Sequence, residues 1–196
     1  MKRAGPAIGV LLGVLSVFYI SYLYAKSPSS QRQDLYRVNK ENISFSSQVL
    51  LSRCLPASVE EVIDGDTIKV RLNAPIPDSL KARETIRLLG IDAPETESSP
   101  RPAGFFGEEA KKYATRLLLQ QRVFLAFDWD LRDRYGRLLA YVYLPDGRCV
   151  NKVLIEEGYA YAYTRYPFQF LEEFRQAQNI ARSQKRGLWA SASSKN

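Results

Sequence analysis

The chain has 196 residues, of which 45% are hydrophobic and 25% are charged, and it contains no histidine. This length suits one folded domain with an appendage, and the apolar fraction is large enough for a hydrophobic core. Without histidine, the chain cannot use Ser-His-Asp or Cys-His nucleophile triads, histidine acid–base pairs or histidine-ligated zinc. We therefore expect any catalysis to use carboxylates, Arg, Lys, Tyr or an oxygen-ligated metal ion.

An uncharged apolar run occupies residues 7–25, and a stretch rich in Ser, Gln and Asn follows it at residues 26–52. The run is long enough to span a bilayer as a helix. Lys2 and Arg3 precede it, which favours an N-terminus left in the cytoplasm. A cleaved signal peptide is the alternative, although the residues before the candidate cleavage point fit it poorly. We interpret residues 1–25 as a membrane anchor or signal peptide, and the polar stretch after them as a linker.

The positive charge of the chain is concentrated in this N-terminal part. The net charge is +7, from 28 Lys and Arg against 21 Asp and Glu. Residues 1–40 contain six Lys and Arg and one Asp, so the remainder contains 22 Lys and Arg and 20 Asp and Glu, a net charge of only +2. A positive net charge favours a polyanionic partner. Binding of such a partner by the remainder is expected to depend on a few placed arginines.

The pattern over residues 53–190 predicts one α+β domain, followed by a short tail at residues 191–196. The predicted strands are Val59–Ile63, Thr67–Leu72, Glu84–Leu89, Arg122–Phe127 and Arg137–Leu144, and the predicted helices are Gly107–Gln121, Asn151–Glu157 and Phe168–Lys185. The Asp64-Gly65 pair between the first two strands is typical of a tight hairpin turn. Five short strands with about three helices predict a small closed β-barrel of the OB type, with the helices packed against it.

Three short segments place charged side chains at the ends of predicted strands. They are Asp64–Thr67, Arg87–Thr96 and Asp133–Leu138. Taken singly, each is typical of a polar turn or a structural ion pair. Taken together, they supply three acids and two arginines that the topology can bring to one rim of the barrel.

The residue types in these segments suit phosphate chemistry. Asp66 and Asp92 offer hard carboxylate oxygens, and the backbone carbonyl of Ala93 adds a third oxygen, which suits Ca²⁺ rather than zinc. Arg87 and Arg137 offer planar forks that match phosphate oxygens.

Glu95 is then left as a general base that activates water. Attack of water on a phosphodiester builds negative charge on the phosphorus oxygens, and a metal ion with two arginines stabilises that charge. The segments therefore predict metal-assisted phosphodiester hydrolysis, which needs no histidine.

These segments resemble those of the staphylococcal (micrococcal) nuclease family, also called thermonuclease-like domains, from about Val59 to Trp189. The shared motifs are Asp-Gly-Asp-Thr at 64–67, Arg-Leu-Leu-Gly-Ile-Asp-Ala-Pro-Glu-Thr at 87–96, Asp-Arg-Tyr-Gly-Arg-Leu-Leu-Ala-Tyr-Val-Tyr at 133–143, the segment 151–158, and Arg-Gly-Leu-Trp at 186–189. The resemblance implies a five-stranded OB-type barrel with three helices. It also implies Ca²⁺-dependent hydrolysis of DNA and RNA, with 3′-phosphate products.

The resemblance assigns a role to each matched position. The implied calcium ligands are Asp66, Asp92 and Ala93, where the best-known family member has Thr in place of Ala93. Arg87 and Arg137 would bind the phosphate and its transition state, and Glu95 would act as the base. Tyr135 matches a family tyrosine near the nucleotide base. For Tyr163 and Tyr166 two interpretations stay open, namely base stacking and packing on the surface of the last helix.

Two functions from different classes remain for this chain. One is an active nuclease, and the other is a catalytically inactive OB-type domain that binds nucleic acid or protein while tethered to a membrane. The five implied catalytic and metal-binding side chains are all present, which favours the enzyme. The expected partners are a nucleic acid substrate and a membrane, with no protein partner implied. The domain is expected outside the cytoplasm, anchored or secreted, because an unselective nuclease inside would attack the genome.

The two cysteines, Cys54 and Cys149, are too few for a cysteine-ligated zinc site. Outside the cytoplasm they can form one disulfide. Two separate buried thiols is the alternative, and the sequence leaves both open.

Overall fold

The computed structural model describes residues 54–73, 76, 78–97 and 102–193. The predicted N-terminal hydrophobic helix, whether anchor or signal peptide, and the predicted linker lie outside these residues. Within the described part of the chain, no helix combines the length and the apolar character needed to cross a bilayer.

The described residues form seven β-strands, three α-helices and one 3-10 helix. The strands are β1 (Leu55–Val62), β2 (Thr67–Leu72), β3 (Arg83–Leu88), β4 (Ile91–Asp92), β5 (Arg122–Ala126), β6 (Leu138–Tyr143) and β7 (Tyr161–Ala162). The helices are α1 (Gly107–Leu118), α2 (Val150–Glu156) and α3 (Leu171–Ser183), and the 3-10 helix is Gly187–Ser193.

Five of the strands close into a barrel in the order β1-β2-β3-β6-β5. Four of its strand pairs are antiparallel, and the pair β3–β6 is parallel. The strand β2 shows why these residues form a barrel wall, since Ile68, Val70 and Leu72 are buried while Lys69 and Arg71 are exposed. This alternation follows from the two-residue period of a β-strand.

The helices cover the barrel with small and apolar faces. On α1, the residues Ala110, Ala114 and Leu118 are buried and follow one another at four-residue intervals, the spacing of one helix face. On α3, the buried residues include Phe174 and Ala177. The predicted five-stranded barrel with three helices is therefore confirmed for the described residues.

The structure adds two features that the pattern did not predict. β1 begins at Leu55, four residues before the predicted start, because residues 55–58 pair with β5. β4 and β7 form a separate two-stranded sheet, in which Ile91 pairs with Ala162. Each of these strands has only two residues, too few to show a period in the sequence.

The turn between β1 and β2 contains Gly65 at a position where a side chain does not fit. An Asp-Gly hairpin of the commonest kind requires a left-handed backbone, but Gly65 is outside that region. A Cβ atom at Gly65 would lie 2.6 Å from the Cβ of Ala93 and 3.0 Å from the Cβ of Ala110. The missing side chain therefore allows the turn that carries Asp66 to pack directly against the loop after β4.

Cys54 and Cys149 are both half-buried in the structure. Burial raises the pKa of Cys54 and of Cys149 to about 11. Cys149 also contributes to the raised pKa of Cys54, so the two side chains lie near each other. One disulfide and two separate thiols both stay predictions.

An ion pair between a buried carboxylate and a partly exposed arginine ties the barrel to the segment before β6. Glu84 on β3 is 5% exposed, and its Oε1 lies 2.7 Å from Nη2 of Arg132. The backbone N–H of Lys81 donates to the same oxygen at 2.8 Å. Burial alone would raise the pKa of Glu84, but the hydrogen bonds from Arg132 and Lys81 outweigh burial, and the pKa is lowered.

We expect Glu84→Gln to destabilise the fold at neutral pH. The folded-state pKa of Glu84 lies below the unfolded value of about 4.3, so the ionised carboxylate stabilises the fold above that pH and loses this effect as the pH falls through the folded pKa. The expected loss at pH 7 is about 1–3 kcal/mol in the free energy of unfolding. Urea denaturation at pH 7 and at acid pH measures it.

The matched control is Glu61→Gln, since Glu61 forms an ion pair with Lys69 but both side chains are at least half exposed. Exposed pairs contribute at most about 1 kcal/mol. A penalty for Glu84→Gln that stays equal at both pH values would show that ionisation of Glu84 does not stabilise the fold.

Candidate active site

A cleft of about 960 Å³ lies at one rim of the barrel, and we call it the rim cleft. Its walls come from the end of β3 with the loop after it, the segment between β5 and β6, and the segment between β7 and α3. Seven residues predicted as site residues line it: Arg87, Asp92, Glu95, Tyr135, Arg137, Tyr163 and Tyr166. The remaining two, Asp66 and Ala93, are buried next to it.

Strand register explains why residues distant in sequence meet here. Thr67 at the start of β2 pairs with Arg87 near the end of β3. In the parallel pair, Arg87 lies opposite Leu139, next to the start of β6. The turn before β2, the end of β3 and the turn before β6 therefore meet at the same rim.

Arg87 forms an ion-pair bridge between two carboxylates. Its Nη1 lies 2.9 Å from Oδ2 of Asp66, and its Nη2 lies 2.9 Å from Oδ1 of Asp92. Nη1 also donates to the carbonyl of Ile91 at 2.9 Å. The Arg87 side chain is 13% exposed, so these contacts fix the orientation of its planar fork.

Asp66 is the buried acid of the site. Its Oδ2 accepts the backbone N–H of Ala93 at 2.7 Å, and its Oδ1 accepts the hydroxyl of Thr67 at 3.0 Å. Its own backbone N–H donates to Oδ1 of Asp64 at 3.0 Å. Burial raises the pKa of Asp66 to about 7, against the opposing effect of Arg87. Asp92 differs, since 45% of its side chain is exposed in the rim cleft.

Arg137 is held by the turn that precedes β6. Its Nε donates to Oδ2 of Asp133 at 2.7 Å. The other carboxylate oxygen of Asp133 accepts the backbone N–H groups of Tyr135 and Arg137, at 2.9 and 3.0 Å. The Arg137 side chain is 27% exposed, so its guanidinium is supported from behind and open to the cleft.

The backbone of Glu95 is fixed by tight packing against α1. Its carbonyl accepts the N–H of Gly104 at 2.9 Å. A Cβ atom at Gly107, the first residue of α1, would collide with the same carbonyl. Glycine at this position therefore allows the loop that carries Glu95 to lie against the start of α1, with the Glu95 side chain lining the cleft.

The three tyrosines lie on two walls of the cleft. Tyr135 is 68% exposed, and its ring lies 4.7 Å from the guanidinium carbon of Arg134 and 5.5 Å from that of Arg137. Tyr163 and Tyr166 face each other with ring centroids 6.1 Å apart. Both precede α3 and line the cleft, and their binding role stays a prediction.

The sequence reasoning missed Asp128, Trp129 and Arg165, which also line the rim cleft. The Asp128 carboxylate accepts the hydroxyl of Tyr141 at 2.7 Å and the backbone N–H of Gln169 at 2.8 Å. Burial raises the pKa of Asp128, although these hydrogen bonds oppose it. The available signal was that Asp128 follows a predicted strand directly, as the predicted site acids do.

The oxygen donors of the site suit a hard cation. Asp66 and Asp92 already share one positive group, Arg87, and Asp64 adds a carboxylate beside Asp66. Across the described ranges, no group of three or more His, Cys, Asp or Glu side chains is arranged to hold a metal ion. Calcium takes about six to eight oxygen ligands, so two carboxylates, the Ala93 carbonyl, water and substrate oxygens would have to supply them.

A closed OB-type barrel is an architecture that also serves domains that bind oligonucleotides or oligosaccharides, and here acids and arginines lie together at one rim. Residues 85–191 match the family described as staphylococcal nuclease homologue, and the chain belongs to that family. The matched range contains every predicted site residue except Asp66.

Curated relatives agree with this family assignment. The chain is 38% identical to the thermonuclease of Staphylococcus hyicus over 133 residues, which are 67% of this chain and 74% of that protein. It is 38% identical to the endonuclease YncB of Bacillus subtilis over 136 residues, which are 68% of this chain and 61% of that protein. It is 39% identical over 134 residues to an uncharacterized endonuclease of Escherichia coli, with 68% of this chain and 76% of that protein covered.

The match covers only part of the Bacillus subtilis relatives. It spans 43% of the length of the prophage-derived endonuclease YokF, to which the chain is 38% identical, and 61% of YncB.

Proposed function

We propose that this protein is a calcium-dependent nuclease that hydrolyses phosphodiester bonds in DNA and RNA and leaves 3′-phosphate ends. The observation that carries the proposal is the Asp66–Arg87–Asp92 bridge, which lies in a cleft that also contains Arg137 and Glu95. Family membership and the nuclease names of the relatives support the same reaction class.

The two arginines bind the phosphate and stabilise its transition state. As water adds to phosphorus, negative charge increases on the non-bridging oxygens, and donors that are already oriented stabilise it without reorganising. Arg87 is oriented by Asp66 and Asp92, and Arg137 is oriented by Asp133. Each carboxylate partner therefore keeps a guanidinium in place before the substrate arrives.

Glu95 removes the proton from the attacking water. The new bond joins this oxygen to phosphorus, the bond from phosphorus to the 5′-oxygen breaks, and the leaving oxygen takes up a proton. This direction of cleavage leaves the phosphate on the 3′-oxygen. General-base catalysis of this kind contributes roughly 10²- to 10⁴-fold to a rate.

Asp66, Asp92 and the Ala93 carbonyl would hold calcium. When bound, the ion supplies Lewis-acid stabilisation of the negative charge on the phosphate oxygens. The buried position of Asp66 would fix one ligand rigidly, whereas the half-exposed Asp92 faces the cleft and would be open to an ion from solvent.

We expect the purified protein to degrade single-stranded DNA with Ca²⁺ and to stop when a chelator is added. Calorimetric titration with Ca²⁺ should give a binding isotherm that Asp92→Asn weakens, because that change removes one ligand charge. Phosphatase should release phosphate from the 3′ ends of the products. Absence of cleavage with Ca²⁺, Mg²⁺ and Mn²⁺ would reject the enzyme, and binding of DNA without cleavage would support the inactive binding domain.

We also propose that the domain acts outside the cytoplasm, either anchored or secreted after cleavage. The support is the uncharged apolar run at residues 7–25, together with the damage that an unselective nuclease would cause to the genome.

A further inference from the structure

Five arginines line the rim cleft, and four of them are committed to other groups of the protein. The committed pairs are Arg87 with Asp66 and Asp92, Arg132 with Glu84, Arg137 with Asp133, and Arg134 with the hydroxyl and ring of Tyr135. Among the described residues, the fifth, Arg165, has no hydrogen bond, ion pair or ring contact. It is exposed.

The backbone around Arg165 is held at both ends. On one side, the N–H of Tyr163 donates to the carbonyl of Gly90 at 2.9 Å. On the other side, the N–H of Gln169 donates to the Asp128 carboxylate at 2.8 Å. The guanidinium of Arg165 therefore projects from a fixed segment, and a ligand need not break an ion pair to reach it.

Aromatic surface accompanies this arginine. Trp129, which is half-buried, and Tyr166, which is 63% exposed, line the same cleft. Trp129 follows Asp128, so the hydrogen bond from Gln169 joins the Trp129 segment to the Arg165 segment. Asp130 also lines the cleft and is exposed, so the wall is not uniformly positive.

A cation beside aromatic faces matches the repeating chemistry of a single strand. Each nucleotide brings one phosphate and one flat base, and grooves that bind single strands pair the phosphate with a cation and the base with an aromatic ring. Arg87 and Arg137 are assigned to the phosphate that is cleaved. Arg165 is separate from them in sequence and has no partner in the described part of the chain, so it is available for a different phosphate.

We propose that Arg165 binds a phosphate that is not cleaved, on a single strand that extends along the rim cleft, and that Trp129 stacks on one of its bases. This inference rests on the proposed nuclease function. It extends the binding site for the strand beyond the phosphate that is cleaved.

The first test measures the salt dependence of binding. A single-stranded oligonucleotide is titrated into the protein with Glu95→Gln, which slows cleavage in every sample. Adding Arg165→Gln should weaken binding roughly fivefold at low salt and reduce the slope of log affinity against log salt by about 0.7, the value for one lost phosphate contact. Arg165→Lys should keep the slope because it keeps the charge.

Arg122→Gln is the matched control. It removes the same charge from an exposed position at the start of β5, the end of that strand away from Trp129. The proposed contact would be rejected if Arg165→Gln left the slope of log affinity against log salt unchanged. It would also be rejected if Arg122→Gln reduced that slope equally.

The second test uses substrate length. A dinucleoside monophosphate contains only the phosphate that is cleaved, so Arg165→Gln should leave its kcat/KM unchanged while raising KM for a long oligonucleotide. Equal losses on both substrates would overturn the inference. If the unaltered protein cleaved neither substrate, the proposed nuclease function would be rejected. If the unaltered protein cleaved both normally and Arg165→Gln had no effect that depends on substrate length, only the role of Arg165 would be rejected.

The third test uses intrinsic fluorescence. The chain has two tryptophans, Trp129 and Trp189. Stacking on a base should quench Trp129, so Trp129→Phe should lose the quenching by the oligonucleotide and Trp189→Phe should keep it. The reverse pattern would overturn the stacking assignment.

Discussion

Replacing Arg87 or Arg137 with alanine is expected to lower turnover at least about 100-fold, the usual scale for removing one preorganised charge stabiliser. Both guanidiniums are oriented before substrate binds, Arg87 by two carboxylates at 2.9 Å and Arg137 by one at 2.7 Å. Single-turnover kinetics on an oligonucleotide measures the chemical step. Arg→Lys at either position should recover only part of the rate, because lysine keeps the charge but loses the fork.

The two substitutions should differ in stability. Removing Arg87 takes the cation from the buried Asp66, whose pKa is already raised to about 7, so the carboxyl takes up a proton at neutral pH. The loss of stability should therefore stay below the roughly 3–5 kcal/mol of an uncompensated buried charge. Removing Arg137 leaves Asp133, which still accepts two backbone N–H groups. The loss in the free energy of unfolding should therefore be smaller for Arg137→Ala than for Arg87→Ala. Urea denaturation in the presence of a chelator separates these effects from metal binding.

Arg175→Ala is the control for both, since Arg175 lies exposed on α3 and pairs with the exposed Glu172. Its turnover and stability should stay near those of the unaltered protein. If Arg87→Ala and Arg137→Ala stayed folded and kept near-normal turnover, neither arginine would have the proposed role in the reaction.

Replacing Glu95 with glutamine should lower turnover by roughly 10²- to 10⁴-fold. The amide has nearly the same shape but cannot accept the proton of the attacking water. The backbone of residue 95 is held by contacts with Gly104 and Gly107, so the substitution should leave the loop in place. Calcium affinity, measured by calorimetry, should stay within about threefold, because a ligand loss would instead cost roughly tenfold or more.

Glu97→Gln is the matched control, since Glu97 is exposed two residues further along and does not line the rim cleft. It should leave turnover unchanged. If Glu95→Gln lost calcium affinity and activity together, Glu95 would be a metal ligand rather than a base.

The barrel could be predicted because the residue patterns that indicate its strands and helices are each contained within one short segment. Alternation in β2 and four-residue spacing in α1 show which faces are buried, and they need no knowledge of distant segments. The same is true of Asp66, Arg87 and Arg137, because each lies at or next to the end of a recognisable strand. Convergence on one rim then follows from the closure of the barrel.

Partnerships between distant residues could not be predicted in this way. Glu84 and Arg132 are 48 positions apart, and Asp128 reaches Gln169 across 41 positions. Nothing near Glu84 in the sequence identifies its partner, and Arg165 is recognisable as uncommitted only once the partners of the other arginines are known. The pairing of β4 with β7 depends in the same way on the packing around them.

The position of β6 in the barrel has a consequence for protein synthesis. The order β1-β2-β3-β6-β5 places β6 between β3 and β5, so the barrel has no closed form until β6 is available. A growing chain that ends before Leu138 already contains Asp66, Arg87 and Glu95, but it lacks the strand that closes the wall and the completed turn that orients Arg137. The closed barrel, and with it the position of Arg137 at the rim, can therefore form only after β6 has been synthesised.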